Sequence, residues 1–124
     1  MRWFQGSAYA VALSLSLGLP AFAQPHEFEG SWGLVGTQCA TAGDTVPTEI
    51  TATEIRFYES RCAIAEVTPV GEAGSTWQVA AECRGEGEEW LVPFLFAILE
   101  TEARQSMVII NMDYGRACLT ERCG

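Results

Sequence analysis

Apolar residues recur at every second position along much of the chain, and this spacing constrains the fold more than any other feature. In the stretch STWQVAAECR, Trp77, Val79, Ala81 and Cys83 fall on one face and polar or small residues fall on the other. Successive side chains of a β-strand point to opposite sides, so period two predicts strands with one face toward a core. The sequence therefore predicts an all-β protein.

Short segments rich in Gly, Pro, Ser and Thr separate the candidate strands, and most are short enough for hairpins between sequence neighbours. A series of hairpins this long closes into a barrel or folds into a sandwich, because an exposed sheet edge can pair with other chains and aggregate. We expect a small antiparallel up-and-down barrel of seven or eight strands, disulfide-stabilised, with a β-sandwich as the alternative. The predicted strands are Glu29–Gly36, Glu49–Ala52, Glu54–Glu59, Cys62–Thr68, Thr76–Arg84, Glu89–Leu99, Ser106–Asp113 and Arg116–Cys123.

The run from Trp90 to Leu99 is apolar on both faces of the predicted strand. Leu91–Glu102 is also the main alternative helix, but Pro93 and the aromatic content favour a strand. A small barrel covers one face only, so the other face needs a loop, a partner or another subunit. Leu91, Leu95 and Leu99 are therefore candidate interface residues.

The first residues have the pattern of a secretory signal peptide. Arg2 gives a positive start, Ala8–Leu19 is mostly apolar, and Ala21-Phe22-Ala23 is a small-x-small cleavage site. The apolar run is too short for a membrane span, which needs ~20 residues. We expect residues 1–23 to be removed, leaving one domain over residues 24–124 without a membrane span, in the periplasm or secreted.

The chain is acidic, with a net charge of −9, and loss of Arg2 would make it one unit more negative. It contains no lysine. Phosphate backbones repel such a surface, so we expect no nucleic-acid partner.

Five cysteines in an exported chain predict a disulfide framework with one thiol to spare. Several disulfide pairings are possible, and the alternation of inward and outward side chains along the strands reduces their number. Cys83 shares a face with Trp77, and we take Cys123 as the inward residue of the last strand. This predicts a Cys83–Cys123 bond and a Cys39–Cys62 bond, with Cys118 as the spare thiol.

No catalytic constellation emerges from the sequence. His26 is the only histidine and lies on a predicted flexible tail, and the chain has no C-x-x-C pair. Arg116 and Arg122 lie close to Cys118 in sequence, but a redox role for this thiol is less favoured than a buried or exchanging one. We expect a non-enzyme with no catalytic residues, no metal and no cofactor.

Gly30-Ser31-Trp32 near the start, together with Arg122 on the last strand, resembles the lipocalin-like (calycin) signature. This resemblance covers two short stretches. It implies a barrel whose first and last strands are adjacent, with the tryptophan packed beneath the barrel near the arginine. Trp32, Trp77 and Arg122 are accordingly candidate pocket or barrel-plug residues.

A second resemblance covers more of the chain. Gly30-x-Trp32, Cys39, Glu59-x-x-Cys62, Trp77, Cys83 and Arg122-Cys123 look like small exported Gram-negative bacterial proteins of unassigned function. It implies Cys39, Cys62, Cys83 and Cys123 as the four bonded cysteines and Cys118 as the extra one. The early Trp–Cys spacing is also similar to that of bacterial protease-inhibitor barrels.

The function predicted from these features is a non-catalytic binding or inhibitor-like module acting on a small apolar ligand or a protein partner. The alternative is an accessory or assembly subunit of an envelope complex that uses Trp90–Leu99 as an interface. A homo-oligomer is compatible with either function.

Overall fold

A computed structural model describes residues 25–36, 39, 46–100 and 104–123. The predicted signal peptide and its cleavage site lie outside the described residues. The strands are β1 (Gly30–Leu34), β2 (Thr48–Ile50), β3 (Glu54–Arg56), β4 (Arg61–Pro69), β5 (Thr76–Gly85), β6 (Glu88–Glu100), β7 (Gln105–Asn111) and β8 (Arg116–Arg122).

The eight strands form a closed barrel in which each strand pairs antiparallel with its sequence neighbour. β1 also pairs with β8, with Trp32 opposite Arg122, so the sheet has no free edge between its first and last strands. The predicted up-and-down barrel is confirmed. The run Leu91–Glu102 is strand rather than helix as far as Glu100, and its inward residues Val92, Phe94, Phe96 and Ile98 are buried.

The core consists of the inward residues of these strands. On β5 and β6 burial alternates residue by residue, and Val79, Val92, Phe94, Phe96 and Ile98 are all buried. The faces predicted for these two strands from period two are therefore correct. Among the described residues, no helix is long and apolar enough to cross a membrane.

The disulfide pairing predicted from alternation is wrong. Cys62 bonds Cys83, and Cys39 bonds Cys123, while Cys118 is the free thiol. Cys62 and Cys83 lie directly opposite each other on β4 and β5, with Cα atoms 3.9 Å apart. Cys83 does point inward as predicted, but its partner is the inward cysteine of the neighbouring strand.

The error has its origin in β8, whose two faces are the reverse of the prediction. Thr120 is buried and Arg122 lies over the Trp32 ring, so Cys118, Thr120 and Arg122 form the inward face. Cys123 points outward and meets Cys39 beside Gly33. A Cβ atom on Gly33 would lie 3.0 Å from the Cys39 sulfur and 3.2 Å from the Cys123 sulfur, so this glycine makes room for the bond.

Candidate functional site

The two ends of the barrel are filled differently, and we name them by their tryptophans. At the Trp32 end, the side chains of Phe28 and Trp32 are fully buried, and the Trp32 Nε1–H donates to the Phe28 carbonyl oxygen at 2.8 Å. Phe28 packs edge-on against Trp77 and Phe96, with ring centroids 5.0 and 5.3 Å apart. Aromatic rings of this size fill a small barrel. This end is closed.

His26 belongs to the same closure. Its ring stacks on Phe28 with centroids 4.8 Å apart, and its backbone N–H donates to the Glu29 carboxylate at 3.0 Å. The prediction of a flexible tail at this position is therefore wrong. The aromatic side chain of Phe28 anchors the segment, which the alternation of the later strands does not reveal.

Arg122 connects the last strand to this closure. Its guanidinium lies 4.4 Å from the centre of the Trp32 ring. It donates to the backbone carbonyls of Glu27 and Glu29 and, at 2.7 Å, to the Gln105 side chain. Trp32, Trp77 and Arg122 thus lie at one end, where they act as a plug and not as the wall of a pocket.

The Trp90 end contains a cavity of about 300 Å³, which we call the cup. It is formed by inward positions of β4 to β8 and by the turn after β3. The residues that line it are Phe57, Ser60, Cys62, Cys83, Trp90, Val92, Phe94, Ile109, Asn111, Arg116 and Cys118.

Small sulfur side chains explain why space remains at this end. Cys62 and Cys83 occupy inward positions on β4 and β5, and Cys118 lies opposite Ile109 on β8. Cysteine is much smaller than the phenylalanine and tryptophan that fill equivalent positions at the Trp32 end. Trp90, opposite Cys83 and 38% exposed, stands at the rim.

The polar groups of the cup are few and lie on the β7–β8 side. Arg116 is opposite Asn111, and Asn111 is opposite Phe94. Arg116 is the one charged residue among the described residues that line the cup, although the whole chain carries far more acidic than basic groups. An apolar wall with one cation favours an apolar ligand that carries an anionic group.

Within the described ranges, no group of three or more His, Cys, Asp or Glu side chains is placed to hold a metal ion. Cys118 and the Cys62–Cys83 bond line the same cavity. The arrangement provides shape, apolar surface and one positive charge.

The predicted interface residues lie on the opposite side of β6 from the cup. Leu91 is 72% exposed and Leu99 is 48% exposed, and Leu95 is half-buried between them. The sequence placed these residues correctly on one face. It did not indicate Arg116, Asn111 or Phe57, because the residues that meet at a barrel end come from turns and strands far apart in sequence.

Comparison of the chain with protein-family models, with curated proteins and with solved structures finds no match.

Proposed function

We propose that this protein is a non-catalytic binding module that holds a small apolar ligand with an anionic group in the cup. The observation that carries the proposal is the contrast between the two ends of one barrel. One end is filled by aromatic side chains, while the other keeps about 300 Å³ of space behind Trp90. That volume is at the lower limit of small-molecule pockets.

Volume and charge define the ligand class. A water molecule occupies about 30 Å³ of liquid, so the cup has room for a ligand of about ten non-hydrogen atoms. Arg116 supplies a fixed positive charge, and a carboxylate is one of the groups that the planar guanidinium binds through two parallel hydrogen bonds. We infer a medium-chain or aromatic carboxylic acid, or a similar organic anion.

The disulfides indicate the cellular compartment in which the protein would act. Two disulfides suit an oxidising, extracytoplasmic environment. Together with the signal-peptide pattern of residues 1–23, they support a periplasmic or secreted protein. A binding module in that compartment would hold its ligand without converting it.

Calorimetric titration with three compounds of one chain length tests the proposal. We expect octanoate to bind about tenfold more tightly than octan-1-ol or octylamine, because only octanoate forms a charge-assisted contact with Arg116. Arg116→Gln should reduce octanoate binding to the level of octan-1-ol. Arg84→Gln, which removes the same charge from an exposed outward position, is the matched control and should leave octanoate binding unchanged.

Filling the cup tests its location. Val92→Trp, or the milder Ile109→Phe, should abolish binding of octanoate and octan-1-ol while the far-ultraviolet circular dichroism stays that of a barrel. Equal binding of all three compounds, or octanoate binding that survives a folded cup-filling variant, would rule out the cup as the site.

A further inference from the structure

The outer side of the barrel carries a continuous apolar surface, independent of the cup, which we call the outer apolar face. Its most exposed members are Leu91 at 72%, Val35 at 51%, and Leu99 and Leu119 at 48% each. Soluble antiparallel sheets usually place polar residues on the solvent side. The outer apolar face consists of Val35, Ala80, Leu91, Pro93, Leu95, Ala97, Leu99, Val108, Ile110, Ala117 and Leu119.

Strand register makes this surface continuous. Leu95 lies opposite Ile110, which lies opposite Ala117. These three residues form one row across the strands. A second row, two residues further along β6, consists of Ala97, Val108 and Leu119. The Val35 N–H donates to the Leu119 carbonyl oxygen at 3.3 Å, which extends this second row to the end of β1. Neither row contains a charged residue across β6, β7 and β8.

The border of the outer apolar face is acidic. Glu82 lies opposite Leu91, and it lines the same surface depression as Asp113 and Pro93. At the other end, Glu121 lies opposite Ser106, which lies opposite Leu99. The neighbouring cation, Arg104, is ion-paired with Glu121 at 3.9 Å.

The area of the outer apolar face and the charge of its border together indicate which partner can bind there. From Leu91 to Leu99 the strand is ~27 Å long, and β5 to β8 span ~14 Å, so the apolar footprint is on the order of 400 Å². A stable interface buries about 800 Å² on each partner, so the border must also be covered. A second copy would bring acidic border against acidic border on two convex barrels, and like charges at an interface disfavour the complex.

We propose that the outer apolar face docks a polypeptide partner whose contact surface is apolar at its centre and basic at its edge. The apolar rows supply the buried centre of the interface. Glu82 and Asp113 pair with Lys or Arg side chains of the partner at the rim, where charge selects the partner and speeds association. This docking would leave the cup accessible from the Trp90 end.

Selection from a random-peptide phage library on the purified, disulfide-bonded protein tests this proposal. We expect the enriched peptides to combine Leu, Ile or Phe with an excess of Lys and Arg, and to bind more weakly as salt rises. Leu91→Glu and Leu95→Glu should each abolish binding of the synthesised peptides. Val70→Glu, which places the same charge at an exposed position in the turn after β4, should not.

Reversing the border charge separates apolar contact from charge selection. Glu82→Lys with Asp113→Lys should weaken binding of the basic peptides about tenfold while the barrel remains folded. Enriched peptides without excess basic residues, or peptides that bind Leu91→Glu as tightly as the unaltered protein, would overturn the proposal. So would a dimer in sedimentation that Leu91→Glu dissociates, because the occupant would then be a second copy.

Discussion

At the scale of single residues, Arg122 connects the last strand to the segment before β1. The same guanidinium lies over the Trp32 ring and donates to the backbone carbonyls of Glu27 and Glu29. These carbonyls belong to the segment that places Phe28 in the core. Replacing Arg122 would therefore leave acceptors without their donor and loosen the closure of the Trp32 end.

We expect Arg122→Ala to lower the free energy of unfolding by about 2–4 kcal/mol, because several charge-assisted hydrogen bonds and a cation–π contact are lost together. Urea unfolding measured by tryptophan fluorescence gives this value. Arg56→Ala is the matched control, since Arg56 is exposed and its ion pair with Glu54 should contribute less than about 1 kcal/mol. Equal losses in the two variants would contradict the role assigned to Arg122.

Residue patterns predicted this contact only in part. The G-x-W resemblance implied that Trp32 and Arg122 are neighbours, and the structure places them together. Alternation in β8 separated its residues into the correct two sets, but it assigned the inward side to the wrong set. The set with Ala117 and Leu119 is the more apolar of the two, but it lies on the outer apolar face, so hydrophobicity indicates the wrong inward side.

At the scale of elements, the two disulfides hold different parts of the barrel. Cys62–Cys83 joins neighbouring strands from the inside, and its two residues are 1% and 3% exposed. Cys39–Cys123 lies on the outer side of β1 and ties the segment after that strand to the end of the chain. Alternation gives the face of a cysteine but not the strand that lies beside it, which is why the pairing could not be derived.

We expect mild reductant to open Cys39–Cys123 first, because both of its residues are partly exposed whereas Cys62 and Cys83 are buried. Stepwise reduction, alkylation with iodoacetamide and peptide mass mapping measure the order. Cys118 should be alkylated before any reductant is added, since it is a free thiol that is only partly buried.

Reduction of Cys62–Cys83 before Cys39–Cys123 would contradict this assignment of inside and outside. A control with Cys118→Ser keeps thiol exchange out of the measurement. The order of opening should be the same in that variant, because the burial of Cys62–Cys83 determines the order and exchange with Cys118 does not.

At the scale of the whole molecule, a long meander, a disulfide framework and an apolar two-sided strand were enough to predict a closed barrel. All eight strands were identified, with boundaries that differ by a few residues. The candidate pocket residues Trp32 and Trp77 lie at the filled end, so the position of the cup was not predicted. Those side chains instead meet Phe28, whose position depends on contacts between the segment before β1 and the barrel.

The division of the barrel into a filled end and an open end is the basis of the proposed function, and chemical-shift mapping tests it most directly. Octanoate is titrated into the ¹⁵N-labelled protein and the backbone amide signals are followed. The account predicts shifts that cluster at Cys83, Trp90, Ile109 and Cys118, with the amides of Trp32 and Trp77 unchanged. Shifts confined to the Trp32 end or to the outer apolar face, or none at all, would contradict it.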